Sequence, residues 1–212
     1  MKRNQSGFTL IEIAIVLVII GLLLGGVLKG QELINSAKVK NLATDFKNVP
    51  VFIYGYQDKF KALPGDDKLA STHVATTGIT IIDGNGDGLI NGNWNAATGE
   101  SFDFWQHVRL AGLAPGPTTT AATDYIPKNA SGGAIGVTSA ANTPVTNLRG
   151  SYIICSDGVA GKFAKQLDTT LDDGTTTTGS LMVTTAGVST STAAIANAAI
   201  VDDTTYLVCM GV

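Results

Sequence analysis

The sequence predicts an α+β protein in which one long N-terminal helix packs against a C-terminal antiparallel β-sheet. Two observations predict this class. Apolar residues recur at helical spacing through roughly the first 60 positions. The rest of the chain alternates short β-branched segments with Gly-, Thr- and Asn-rich loops. A chain of 212 residues is long enough to bury a sizeable core in one domain.

The first part of the helix is an almost unbroken apolar run from Ile13 to Leu28. A helix over residues 8–28 would be roughly 31 Å long, enough to cross the hydrocarbon core of a bilayer. Lys2 and Arg3 precede the run, so we expect the N-terminus to stay cytoplasmic. A cleaved secretory signal peptide fits less well, because no small-residue cleavage site follows the run and helical sequence continues past it.

The second part of the helix carries an apolar stripe with alternating spacings of three and four residues, which indicates one buried face. The stripe consists of Val39, Leu42, Phe46, Val49, Ile53, Tyr56 and Phe60. It passes Pro50 without losing phase, although a proline inside a helix removes one hydrogen bond and favours a kink. We therefore predict one helix from Phe8 to about Lys61, ended by the breaker sequence Leu63–Asp67.

The C-terminal part contains segments that are typical of strands, short helices and surface loops. The candidate strands are Gly78–Ile82, Ser151–Cys155, Ser180–Thr184 and Thr205–Met210. The candidate helices are Ser101–Ala111 and Lys162–Leu171. Two threonine-rich stretches, Thr118–Thr123 and Thr175–Thr192, are expected as surface loops or edge strands. We expect this sheet to pack on the apolar stripe of the long helix.

Glu12 is a carboxylate near the start of an otherwise apolar span. A charge costs roughly 2.5 kcal/mol or more at the centre of a membrane span, so we expect the chain to use Glu12 against a partner. The alternative is a side chain that reaches the membrane interface and is solvated there.

The stretch Gly7-Phe8-Thr9-Leu10-Ile11-Glu12 lies between a short basic leader and an apolar helix. This arrangement closely resembles the signal of type IV prepilins, a family that includes type IV pilins and the pseudopilins of type II secretion. The resemblance is firm over about residues 1–60. Beyond that it is architectural, and consists of a globular head with a C-terminal pair of cysteines like those that bracket a disulfide loop in many pilins.

The resemblance implies four parts: a leader over residues 1–7, a membrane or filament-core helix half over 8–30, an amphipathic half over 31–61 and a globular head over 62–212. It also implies that a prepilin peptidase cuts between Gly7 and Phe8 and that the new Phe8 amine is N-methylated. In a filament of staggered parallel helices, the Glu12 carboxylate would meet the Phe8 ammonium group of a neighbouring subunit. An unpaired member would cost several kcal/mol, which penalises wrong registers.

The partners and the location follow from the same resemblance. We expect a single-pass precursor in the inner membrane and then an extracellular filament at the cell surface, built from copies of the chain by pilus or secretion machinery. Nucleic acid is not expected as the main partner, because the net charge is −3 and no basic stripe is present.

The favoured function is therefore that of a structural subunit of a type IV pilus-like filament. The alternative is a type II secretion pseudopilin, or a minor pilin with a calcium-binding or ligand-binding head. Many type IV pilins carry a proline in the apolar half of the helix. This chain has none before Pro50, which keeps the alternative open.

The chain contains two cysteines, Cys155 and Cys209. In an oxidising compartment they would most simply form one disulfide. Two separate buried thiols are the alternative.

The segment from Asp83 to Asn91 begins like the calcium loop of an EF-hand. The candidate ligands are the side chains of Asp83, Asn85, Asp87 and Asn91 and the carbonyl of Leu89. The twelfth position holds Trp94, where a bidentate acid is expected. The candidates to supply that acid are Glu100, Asp103, Asp66 and Asp67. An Asn/Asp/Gly-rich turn without a metal is the alternative.

Enzymatic activity is not expected. The chain has two histidines, His73 and His107, and neither lies at a metal-ligand spacing. Neither a nucleophile-elbow motif nor a P-loop motif occurs.

Overall fold

Helix α1 spans Leu10–Phe60, close to the bounds that the apolar run and stripe predict. The structure is a computed structural model that describes residues 9–212. Two units follow one another along the chain, Met1–Ala37 and Lys38–Val212. The helix continues through Pro50.

In the first unit, the large apolar side chains of α1 lie open to solvent. Every one of them from Leu10 to Leu28 is at least 46% exposed. Within the described residues, α1 is the helix that is long and apolar enough to cross a membrane. A surface this apolar requires cover from lipid or from other helices.

In the second unit, α1 buries the predicted stripe. Val39, Leu42, Phe46, Val49, Ile53 and Tyr56 are buried, and Phe60 is half-buried. The stripe therefore forms the helical side of the main core, as the spacing predicts.

Four strands form one antiparallel sheet. They are β1 (Ile135–Ser139), β2 (Tyr152–Ala160), β3 (Leu181–Thr185) and β4 (Thr205–Gly211), in the order β1-β2-β4-β3. The last three match predicted strands, whereas β1 was not predicted. A bulge interrupts the pairing of β2 with β4 after Ser156, and Gly158 supplies the positive φ of 66° there.

Residues Gly78–Ile82 do not form the predicted strand. Side chains of the helix α3 (Glu100–Leu110) take up two of their carbonyls instead of a neighbouring strand. Gln106 Nε2 donates to the Thr80 carbonyl at 3.1 Å, and His107 Nε2 donates to the Ile82 carbonyl at 3.0 Å. The β-branched composition was therefore a misleading signal at this position.

Both faces of the sheet are buried. Val137, Ile154, Val183 and Val208 belong to the main core, which also contains the stripe of α1. On the opposite face, Ile153, Met182 and Leu207 pack with Trp94, Val145 and Leu148. The alternation of the two sets along each strand follows the period of two of β-structure.

A disulfide joins Cys155 on β2 to Cys209 on β4. The two residues are opposite each other in the register, with a Cα–Cα distance of 4.1 Å, and both are fully buried on the second face of the sheet. The bond therefore links the two central strands.

The predicted short helices are confirmed to within one residue at each end, as α3 and as α4 (Gly161–Leu171). A four-residue helix, α2 (Ala70–His73), follows the breaker sequence after α1. Two 3₁₀ turns, Ala140–Asn142 and Asn197–Ala199, complete the regular structure of residues 9–212.

Candidate functional site

Two regions carry the candidate functional residues: the start of α1 and the segment Asp83–Asn91 of the head, here called the acidic loop. At the start of α1, Thr9 and Glu12 form a capping box. The Thr9 amide and the Thr9 hydroxyl both donate to Glu12 Oε2 at 2.7 Å, and the Glu12 amide donates to Thr9 Oγ1 at 3.3 Å. The predicted cleavage residues Gly7 and Phe8 lie outside the described residues.

The capping box was not predicted, although its signal was present. The spacing Thr-x-x-Glu before an apolar run is a recognised helix start. Glu12 therefore has a local partner within its own chain, and the exposed carboxylate retains capacity for a second partner.

In the head, the Asp66 carboxylate organises the acidic loop. Its Oδ1 accepts hydrogen bonds from the amides of Gly86 at 2.6 Å and Asp87 at 3.1 Å, and its Oδ2 accepts one from the Gly88 amide at 2.8 Å. Positive φ angles at Gly86 and Gly88 let consecutive amides point to one side. Asp66 is only 3% exposed, so the loop closes over a buried carboxylate.

Glu100, the first residue of α3, holds the loop from the other side. Its two carboxylate oxygens accept from the backbone amides of Asn85 at 3.0 Å and Asn91 at 2.8 Å. A carboxylate in the first turn of a helix also interacts favourably with the helix dipole.

Asp87 accepts hydrogen bonds from two side-chain amides of the loop. Its Oδ2 accepts from Asn85 Nδ2 at 3.1 Å and from Asn91 Nδ2 at 2.9 Å. The hydrogen bond from Asn91, with those from the Leu89 amide and Asn85, lowers the pKa of the Asp87 carboxyl below its ordinary value.

Three carboxylates meet in this loop. One oxygen each of Asp66, Asp87 and Glu100 lies within 4.8 Å of the others, and the three residues could hold a metal ion. Asp66 and Glu100 were among the acids that the sequence offered to complete the ligand set. No sequence pattern distinguished them from Asp67 and Asp103.

Two of the other acids considered as ligands, Asp83 and Asp103, lie outside this cluster. The Asp83 carboxylate accepts from the Ser71 amide at 2.6 Å and from the Ser71 hydroxyl at 2.9 Å, so it caps the short helix α2. The Leu89 amide donates to Asp87 Oδ1 at 2.9 Å. Asp103 is buried in α3, where burial and then the charge of Glu100 raise the pKa of its carboxyl to about 6.

Asp67 anchors the segment after α1. Its carboxylate accepts from the Tyr56 hydroxyl at 2.8 Å, the Leu69 amide at 2.9 Å and His73 Nδ1 at 2.7 Å. Burial acts to raise the pKa of the Asp67 carboxyl, but these hydrogen bonds, led by that of His73, outweigh burial and lower it. The Asp67 carboxylate therefore has a structural role, in which it binds Tyr56, Leu69 and His73.

Residues 2–28 match the family model described as the prokaryotic N-terminal methylation motif. The chain thus carries the N-terminal signature of type IV pilins and pseudopilins. Comparisons with curated proteins and with solved structures find no significant match. The motif indicates a structural protein that a prepilin peptidase processes and that a pilus or secretion system assembles.

Proposed function

We propose that the chain is a structural subunit of a type IV pilus-like filament. The observation that carries this proposal is a helix that bears the methylation motif and whose large apolar side chains, from Leu10 to Leu28, have no cover within the described chain. Such a surface is stable in a bilayer before assembly and in a bundle of identical helices afterwards.

Cleavage between Gly7 and Phe8 would create a new ammonium group four positions before Glu12 in the sequence. In the filament, that ammonium group of one subunit pairs with the Glu12 carboxylate of the next. The pair is poorly solvated in a packed helical core, so a register that leaves either charge alone is strongly disfavoured. This role is supported by the exposed position of Glu12 and by the fact that both hydrogen bonds from Thr9 go to Oε2.

Before processing, the precursor spans the inner membrane once, with residues 8–30 as the membrane half and residues 31–61 as the amphipathic half of the helix. After processing, the pilus or secretion machinery extracts the helix, and the head of residues 62–212 faces the exterior of the filament at the cell surface. The partners are copies of the chain, the prepilin peptidase and that machinery.

The substitution Glu12→Ala tests the pairing. We expect the variant to insert into the membrane and to be processed, but to yield no surface filaments. Glu32→Ala is the matched control, because Glu32 lies on the same helix and makes an exposed ion pair with Lys29. Normal filaments from Glu12→Ala, or loss of filaments from both variants, would contradict the proposal.

A second candidate is a pseudopilin or minor pilin whose head binds calcium. It is favoured by the convergence of Asp66, Asp87 and Glu100, none of which forms a salt bridge with a basic side chain in the described part of the chain. Three carboxylates in one place repel each other, and an ion that prefers oxygen ligands would relieve the repulsion.

Thermal unfolding with and without millimolar calcium tests this candidate. A ligand that binds only the native state must raise the melting temperature. We expect a rise in the wild-type protein that is lost in Asp87→Asn, while Asp83→Asn retains it, because Asp83 lies outside the cluster. An unchanged melting temperature in the wild-type protein would contradict calcium binding by the head.

A further inference from the structure

His107 is a fully buried histidine whose two ring nitrogens bind two separate segments of the head. The Gly65 amide donates to Nδ1 at 2.9 Å, and Nε2 lies 3.0 Å from the Ile82 carbonyl oxygen. Gly65 belongs to the segment that follows α1, and Ile82 lies immediately before the acidic loop. The ring therefore joins both segments to α3.

These two partners fix the protonation state of the ring. An amide is a donor, so Nδ1 must offer a lone pair, and a carbonyl is an acceptor, so Nε2 must carry the hydrogen. A protonated ring has N–H groups at both positions. It would retain the bond to Ile82 but would turn an N–H toward the N–H of Gly65.

Three titratable groups face the ring from the surrounding elements. Tyr56 of α1 stacks on it with 6.2 Å between ring centroids. The negative charges of Asp67, from the segment after α1, and of Asp83, at the start of the acidic loop, favour a proton on the ring. Burial disfavours that proton more strongly, and the pKa of His107 is lowered overall.

We propose that His107 is a proton-operated clasp on the segment that follows α1. In its neutral form the ring holds Gly65 and Ile82 together. Protonation at Nδ1 breaks the bond to Gly65 and loosens the segment that carries Asp66 into the acidic loop. The clasp is independent of the filament proposal, since it concerns the head alone.

The sign of the effect follows from the direction of the pKa shift. The neutral ring is favoured in the folded chain, so the clasp contributes its full stability above the ordinary histidine pKa of 6.5. That contribution is lost as pH falls below this value toward the lowered pKa of the folded state. The head should therefore loosen locally in mild acid.

Amide hydrogen exchange of the full chain in detergent, measured residue by residue by NMR, tests the clasp. After correction for the intrinsic pH dependence, we expect exchange at Gly65 to accelerate about tenfold or more between about pH 7.5 and pH 5, which corresponds to loss of one buried hydrogen bond. Exchange in the strand β4 serves as the internal reference.

His107→Gln retains an amide oxygen and an amide N–H but does not titrate, so protection at Gly65 should become independent of pH. His73→Gln is the matched control, since His73 is the other histidine of the chain, and it should retain the wild-type response. A pH response that survives in His107→Gln and disappears in His73→Gln would overturn the proposal.

A measurement on the wild-type protein covers the case in which His107→Gln does not fold. The ring nitrogen shifts of His107 should show a hydrogen on Nε2 at neutral pH, and their titration should share its midpoint with the amide shift of Gly65. A hydrogen on Nδ1 at neutral pH, or two different midpoints, would contradict the clasp.

Discussion

Thr9 and Glu12 cap helix α1 reciprocally: the Thr9 amide donates to the Glu12 carboxylate at 2.7 Å, and the Glu12 amide donates to the Thr9 hydroxyl oxygen. The Glu12 carboxylate thus has two roles. It starts the helix within its own chain, and in the proposed filament it pairs with the terminal amine of a neighbour. The two roles make different demands, which substitutions can separate.

Thr9→Ala removes the capping hydroxyl and leaves the Glu12 charge in place. Loss of an N-cap costs about 1 kcal/mol. This loss would loosen the first turn, while the membrane or the neighbouring helices would keep the rest of the helix in place. We expect filament yield, measured on sheared surface material, to stay within about twofold of wild type. Loss of filaments as complete as in Glu12→Ala, with normal cleavage, would show that the cap rather than the charge is required.

Asp66→Ala should destabilise the head more than any single change within the acidic loop that Asp66 holds. Three loop amides would lose the buried carboxylate that accepts their hydrogen bonds, and we expect a loss of about 2–4 kcal/mol in the free energy of unfolding. Asp83→Ala, which removes two hydrogen bonds at an exposed position, should cost about 1 kcal/mol. Chemical denaturation of both variants checks the order, and equal losses would contradict the central place of Asp66.

Replacing both Cys155 and Cys209 by alanine should lower the stability of the head by about 2–4 kcal/mol. The bond closes a long loop, with a sequence separation of 54, and it links the two central strands. Thermal unfolding of the double variant and of the wild-type protein with reductant should agree. An unchanged melting temperature in both would show that the strands need no covalent link.

Asp168 of α4 is fully buried, and neither carboxylate oxygen has a hydrogen bond of good geometry in the described part of the chain; the backbone amides of Gly174 and Thr175 interact with the carboxyl only weakly. Burial, together with the charges of Asp173 and Asp172, raises the pKa of this carboxyl to about 6. The folded chain therefore resists its ionisation. Its stability should fall as pH rises from the unfolded value of 3.8 to about 6, and stay lower above that.

Asp168→Asn should accordingly stabilise the head by about 1–2 kcal/mol near pH 7.5, and the gain should shrink toward pH 4. Asp203→Asn is the control, because its exposed ion pair with Lys162 contributes little. Melting temperatures across this range measure the effect. A gain in Asp168→Asn that is constant with pH would show that the charge is not its cause.

The secondary-structure elements that could be predicted are those determined by a pattern within their own segment of sequence. The buried stripe of α1, the helices α3 and α4 and the strands β2, β3 and β4 all carry their own periodicity or β-branched runs. Strand β1 does not: it is five residues long, contains Gly136 and is buried throughout, so its identity depends on pairing with β2. Residues 78–82 show the converse, because α3 side chains satisfy carbonyls of a segment with strand composition.

The acidic loop shows that local sequence patterns also predict a candidate site only in part. The spacing of Asp83, Asn85 and Asp87 suggested three ligands on one side of a turn, yet Asp83 binds Ser71 and the Asn85 amide turns toward Asp87. The organising residues, Asp66 and Glu100, lie outside the loop in sequence, one before it and one after it. Their convergence depends on tertiary structure, which a local pattern does not contain.

Mass spectrometry of the main protein in purified surface filaments tests the filament proposal most directly. We expect this protein to be the present chain, to lack residues 1–7 and to begin at Phe8 with a methylated amine. Filaments whose main protein is another chain, or a chain that still carries residues 1–7, would contradict it.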